Sequence, residues 1–292
     1  MKQRYRNGVL IEADNGQDRF LKALYGSTLG RILLKPLVTP VVSNLAGAFL
    51  STKASCVLIQ PFIKSNHIDM SQFEDVKFHS YNDLFSRKIR DGARTIDMDP
   101  SHFISPADSK LTVLPITEDS RFVLKHTDYT LASLLKNEKL AKEYHGGYAF
   151  VFRLTVDDYH RYCYVDNGTK EDNIHIPGVF HTVNPVANDY YPIYKENTRE
   201  YSVLHSENFG DILMMEVGAL LVGKIVNLHQ HANVKRGQEK GFFQFGGSTV
   251  VLLTKENKVL VDEDILANSK DGIETIVKFG EKIGTTVPFP AR

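Results

Sequence analysis

Two stretches limit what this chain can fold into. YAFVFRLTV (148–156) and TVVLL (249–253) are apolar at nearly every position and rich in β-branched and aromatic side chains. Such runs suit the core of a sheet, and FFQF (242–245) reads as a strand of that same core. Between the last two stand Gly246, Gly247 and Ser248. Glycine weakens a strand interior and marks a bulge, a tight bend or a close backbone approach. A hydroxyl placed directly after two glycines, with apolar strand on either side, therefore needs a local reason.

The rest of the chain fits an α+β fold, with an N-terminal helical segment over 1–75 and a β-rich body over 76–292. Segment 216–226, EVGALLVGKIV, reads as a strand pair punctuated by Gly, and 256–287 alternates short strands and turns. LASLLKNEKLA (131–141) predicts a helix. In 20–50, the most apolar long segment, Leu21, Leu24 and Tyr25 recur at helical spacing, as do Leu29, Ile32 and Leu33. Lys22, Arg31 and Lys35 interrupt that run, and Pro36 and Pro40 break it. It reads either as two short helices on a core or as an amphipathic element in a lipid interface.

Composition narrows the function classes. Lys+Arg and Asp+Glu are both 35 in 292 residues, so there is no net basic charge of the kind a nucleic-acid binder carries. Cys56 and Cys163 are too few for a disulfide framework and fit a reducing compartment. The first residues turn polar too soon for a signal peptide, and no run reaches the roughly 18 apolar residues of a spanning helix. The expectation is a cytosolic protein, or one bound peripherally to the cytoplasmic face of a membrane.

Several groups carry reactive chemistry. His229 and His231 stand on one side of a strand, a spacing zinc sites use. Further ligands are not apparent nearby, a solvated strand end is the simpler account, and no metal is expected. Phosphate-loop and dinucleotide fingerprints are absent, and Ser248 is not in a G-x-S-x-G elbow. Asp108 follows a Pro-fixed turn in SPAD (105–108). His160 lies in DDYHRY (157–162), at the end of a strong strand. Asn197 and Arg199, in ENTREY (196–201), offer an amide and a guanidinium suited to a carboxylate or phosphate.

FSRKIRDGARTID (85–97), SPAD, DDYHRY, HTVNPVA (181–187) and ENTREY occur in that order. VGALLVGKI (217–225), KRGQEKGFFQFGGSTVVLL (235–253) and VKFGEKIG (277–284) follow. Over roughly 75–290 this array resembles the phosphatidylserine decarboxylases. The resemblance implies self-cleavage of the Gly247–Ser248 bond, giving a β chain (1–247) and an α chain (248–292), with Ser248 converted to a covalent pyruvoyl cofactor. That group would act as the electron sink while phosphatidylserine loses carbon dioxide to become phosphatidylethanolamine. Glycines on the amino side suit this chemistry, because the attacked carbonyl must lie in a strained, unshielded turn.

The resemblance also assigns roles. Asp108 matches the family's acid and His160 the first histidine of its Y-H-R-x-H motif. Cys163 stands where the second histidine belongs, the position usually assigned as the processing base. Three explanations stay open: His160 serves both cleavage and decarboxylation, His181 takes the vacant place, or the chain belongs to a branch that cleaves slowly or prefers another substrate. Asn197 and Arg199 are candidate substrate-binding residues. The implied partners are the phospholipid and an anionic membrane surface, with a homodimer as a family-level expectation. Two other functions compete: a pyruvoyl decarboxylase of a soluble, aromatic amino acid, and a membrane-binding homologue that never cuts itself.

Overall fold

The computed structural model describes residues 2–12, 23–124, 127–182, 190–219, 224–244 and 248–288. Strands β1 (Lys2–Tyr5) and β2 (Leu10–Glu12) precede the α-helices α1 (Thr28–Leu37), α2 (Pro40–Leu50), α3 (Ile59–Ser65) and α4 (Tyr81–Phe85). Next come β3 (His102–Ile104), β4 (Ser109–Pro115), β5 (Arg121–Leu124) and β6 (Thr127–Thr130), then the short helices α5 (Leu131–Leu135) and α6 (Glu138–Lys142). The central stretch holds β7 (Tyr148–Leu154), β8 (Arg161–Cys163), β9 (Gly168–Lys170), β10 (Ile174–Ile176), α7 (Ile193–Glu196), β11 (Arg199–Ser206) and β12 (Gly210–Val217). The remainder is β13 (Ile225–Asn227), β14 (Ala232–Val234), β15 (Glu239–Phe243), β16 (Ser248–Thr254), β17 (Val259–Val261), α8 (Glu263–Lys270), β18 (Glu274–Val277) and β19 (Lys282–Thr286).

Among the described residues the main sheet has 11 strands, in the order β14-β9-β11-β12-β16-β7-β4-β18-β1-β2, with β10 also on β11. Its two faces explain the fully apolar runs. Phe150, Phe152, Val250, Leu252 and Met214 point into one core cluster. Their neighbours Ala149, Val151, Val251, Leu253 and Met215 point into the other. A strand buried on both sides has no polar face to alternate with. The first core also takes up Tyr162 and Cys163 of β8, Phe243 of β15 and Ile283 of β19, from two three-stranded sheets. The second is covered by Leu131, Leu134 and Leu135 of α5, Ala141 of α6 and the β5–β6 pair.

Three local expectations need adjusting. Residues 2–12, expected in the helical segment, form the last two strands at one end of the main sheet, with β1 running parallel to β18 and β2 at the edge. The helix expected over 131–141 divides in two: Lys136 turns left-handed at φ 52°, and the Asn137 side chain then caps α6 by accepting from the Leu140 amide. In 28–50 the break falls at 38–39. Pro36 is tolerated in the last turn of α1, while Pro40 opens α2, where a missing N–H costs little.

Helices α1 and α2 form a pair bent by 62°, and no single described helix is long and apolar enough to cross a membrane. Leu34 and Val38 pack with Tyr25 against Ile193 and Ala219. Leu29, Ile32 and Leu33 of α1 and Val41, Leu45 and Phe49 of α2 are exposed large apolar side chains. Lys22, expected among the basic residues of this segment, lies outside the described residues.

Candidate active site

Strand pairing puts Ser248 where it is. β16 runs between β12 and β7, and Ser248, its first residue, lies opposite Leu154, the last residue of β7. The chain leaves β7 through a tight turn, Thr155–Asp158, closed by the Asp158 amide donating to the Thr155 carbonyl at 2.9 Å. It returns with His160 alongside Ser248. The Phe243 amide, at the end of β15, donates to the His160 carbonyl at 2.9 Å.

Ser248 and His160 are both buried. Ser248 Oγ lies 3.3 Å from His160 Nδ1, and His160 Nε2 lies 2.9 Å from the Thr155 carbonyl oxygen. A carbonyl can only accept, so Nε2 carries the proton of the neutral ring and Nδ1 is left as an acceptor for the serine hydroxyl. Burial, and then the positive charge of Arg87, lower the His160 pKa to about 3. The ring is therefore neutral at ordinary pH, as a proton-accepting group must be. Phe85 of α4 packs against it with ring centroids 4.1 Å apart.

Asp108 lies elsewhere in the network. Its carboxylate accepts from Arg94 Nε at 3.0 Å, from Arg94 Nη2 at 2.5 Å and from the Phe279 amide at 2.8 Å. Lys278 Nζ stands 3.5 Å away. Burial pushes its pKa up, but Arg94 and Lys278 outweigh this and hold it below the usual carboxylate value. Its hydrogen bonds go to Arg94 and the Phe279 amide, and none reaches His160 or Ser248. Cys163 sits in the core on β8, and burial raises its thiol pKa, which removes the thiolate that a base or nucleophile needs.

His181 lies in a different cluster. It stacks on Tyr191 at 4.5 Å, its Nδ1 is 3.5 Å from Tyr25 Oη, and its Nε2 is 3.5 Å from Glu196. Burial lowers its pKa to about 4. Asn197 pins it by the backbone: the side-chain oxygen accepts from the His181 amide, and the side-chain nitrogen donates to the His181 and Gly218 carbonyls. Val217 in turn pairs with Thr249. His181 is thus linked to the Ser248 strand only through Asn197 and the backbone next to Val217, with no hydrogen bond to Ser248.

Arg199, expected to meet substrate, is a backbone fastener. Its guanidinium donates to the carbonyls of Leu134, Lys195, Asn197 and Ser133. The reason is parity: Arg199 lies opposite Val217 on the second-core face, whereas Ser248 points with Val250 and Leu252 into the first. Gly247, the other half of the expected cleavage site, lies outside the described residues. His229 is occupied by Tyr164 Oη at 3.2 Å and Gln238 at 3.2 Å.

Comparison with known proteins decides the family. The phosphatidylserine decarboxylase family model matches residues 81–285. The chain belongs to this family. A protein of Clostridium acetobutylicum described as phosphatidylserine decarboxylase proenzyme 2 is 50% identical over 273 residues, covering 93% of this chain and 92% of its own. Phosphatidylserine decarboxylase proenzymes of Clostridium botulinum strain Langeland and of Ruminiclostridium cellulolyticum are 41% and 39% identical, covering 91% and 92% of this chain and 92% of each of their own. The family match takes in every described residue of the Ser248–His160 cluster.

Reading the sequence missed three participants. Thr155 acts through a backbone oxygen, which no residue code announces. Lys110 stands two residues after the SPAD motif, and its signal was a charge inside an otherwise buried strand pattern. Asp158 enters the sequence reading only as a letter of the DDYHRY motif, although T-x-x-D is the spacing of a side-chain-closed turn.

Proposed function

We infer that this protein is a self-processing phosphatidylserine decarboxylase, made as a precursor. The observation that carries the reading is the buried Ser248 hydroxyl facing the unprotonated nitrogen of His160. Ser248 Oγ would add to the carbonyl carbon of residue 247 while His160 Nδ1 takes the hydroxyl proton. The C–N bond then breaks, His160 returns a proton to the leaving nitrogen, and an ester joins the two parts. Elimination across Ser248 frees the 1–247 chain as a carboxylate, and hydrolysis of the remaining dehydroalanine releases ammonia. A buried residue at the tip of a fixed strand, beside a proton carrier, suits conversion to a pyruvoyl group in place. When present, that group supplies the electron sink for loss of the substrate carboxylate.

In this reading His160 is the base, and Asp108 stabilises the frame by tying residues 94 and 279 together. His181 and Asn197 shape the wall beyond Thr249. The soluble amino-acid and non-cleaving alternatives are not favoured, since the relatives carry the phosphatidylserine decarboxylase proenzyme description. We also propose that the exposed apolar side chains of α1 and α2, with Arg31 and Lys35 among them, seat the protein peripherally on an anionic lipid surface at the cytoplasmic face.

Intact mass under denaturing conditions tests the processing, and release of carbon dioxide from phosphatidylserine vesicles tests the activity. His160→Ala is expected to slow cutting by about 10²–10⁴-fold, the usual contribution of a general base. His181→Ala is expected to cut at a rate much closer to the native one. The opposite pattern would transfer the role to His181.

A further inference from the structure

Among the described residues no carboxylate hydrogen-bonds to His160, yet its ring is held in one orientation. The Thr155 carbonyl does this, accepting from both His160 Nε2 and the Asp158 amide. The turn bearing that carbonyl is closed a second time by the Asp158 carboxylate, which accepts from the Thr155 amide at 2.7 Å and from the Thr155 hydroxyl at 2.9 Å. Lys110 then clamps the whole turn from the neighbouring strand β4. Its Nζ donates to Thr155 Oγ1 at 2.6 Å and to Asp158 Oδ1 and Oδ2 at 2.8 and 2.7 Å. Arg87 adds longer contacts of 3.3 Å to the carbonyls of Asp157 and Asp158.

Lys110 and Asp158 are buried, and their side chains hydrogen-bond to Thr155 and to each other, with neither His160 nor Ser248 among their partners. A buried ion pair is a poor device for stability alone, because desolvating two charges offsets most of their attraction. It does fix geometry, and here the geometry it fixes ends on the imidazole.

We propose that the Lys110–Asp158 pair positions His160, locking the 155–158 turn so that the Thr155 carbonyl keeps the proton on Nε2 and leaves Nδ1 to take the Ser248 proton. Lys110, Asp158 and Thr155 are positioning residues; His160 and Ser248 exchange the proton. The arrangement does for this histidine what a carboxylate does in a serine–histidine–aspartate triad, with a clamped backbone oxygen in its place. The inference rests on reading Ser248 as the self-processed residue.

The test uses two readouts on the full-length chain. In Ser248→Ala, which cannot process, ¹⁵N resonances of the His160 ring, assigned with His160→Asn, report the tautomer. The native clamp is expected to give Nε2–H alone. Lys110→Met/Asp158→Asn, which removes both charges and strands neither, is expected to give a mixed tautomer. With Ser248 restored, the same pair of changes should slow processing on the order of tenfold to a hundredfold, the cost of a misplaced reacting group. Urea unfolding in parallel identifies a variant that has lost its fold. A mixed or Nδ1–H ring in Ser248→Ala with the native clamp overturns the proposal without needing the double variant. So does native-rate processing by the double variant. A native chain that remains at full mass refutes self-processing instead, and the tautomer result then stands by itself.

Discussion

Shifting the unprocessed chain from about pH 7 to about pH 5 separates a buried base from an ordinary one. With His160 as the proposed base, cutting would need its unprotonated ring, and the rate should follow the unprotonated fraction. An ordinary histidine, with a pKa of about 6.5, would be about 76% unprotonated at pH 7 and about 3% at pH 5, a fall of roughly 25-fold. Burial and Arg87 instead bring His160 to about 3. The corresponding fraction at pH 5 is then about 99%, and the rate should be almost flat. The same shift weakens the base, so cutting should be slow as well as pH-insensitive. Stability runs in its own direction. The unfolded chain binds the proton below about 6.5 and the folded chain only near 3, so folding free energy declines as pH falls through that window. The assay is cell-free synthesis of the full chain, a pH jump, and timed appearance of the 248–292 fragment by mass, with circular dichroism showing that the protein remains folded. A midpoint near 6.5 in folded protein would refute the assignment of buried His160 as base.

Other expectations follow from the same geometry. Cys163→Ala should process at the native rate and lose about 1 kcal/mol of stability, read from urea unfolding; abolished cutting would restore a chemical role to the thiol. Arg199→Met leaves backbone carbonyls unpaired and should cost at least about 2 kcal/mol, with Arg199→Lys a poor substitute for a forked donor. A selective rise in KM at unchanged stability would instead place Arg199 on the substrate. Replacing Leu29, Ile32, Val41 and Leu45 by serine should abolish sedimentation with anionic phospholipid vesicles while leaving self-cleavage intact; retained sedimentation would remove α1 and α2 from the membrane contact.

Much of the sheet was readable because β7 and β16 are buried on both faces and cannot disguise themselves as helices. The strands at 2–5 and 10–12 were not, since KQRY and LIE are too short to show a period and join the rest of the sheet through the distant β18. The break at Lys136 needed a left-handed residue that is not glycine, which composition does not signal. In the site, Ser248 and His160 stood out by residue type and motif. What holds His160 did not: a backbone oxygen has no letter, and Lys110 reaches Asp158 across 48 residues. The backbone contacts of Arg199 were hidden for a related reason, because only strand parity reveals which face a guanidinium serves.

The position of β16 between β12 and β7 has a further consequence. A break just before Ser248 would fall at the mouth of a central strand, while β18, on the same downstream piece, remains laced between β4 and β1. Two polypeptides would then share one sheet that neither could leave without tearing it open. The new chain end would be paired with β7 at Ser248 and with β12 from Thr249 onward, giving the reactive carbonyl the stiffness of a core residue instead of the looseness of a terminus.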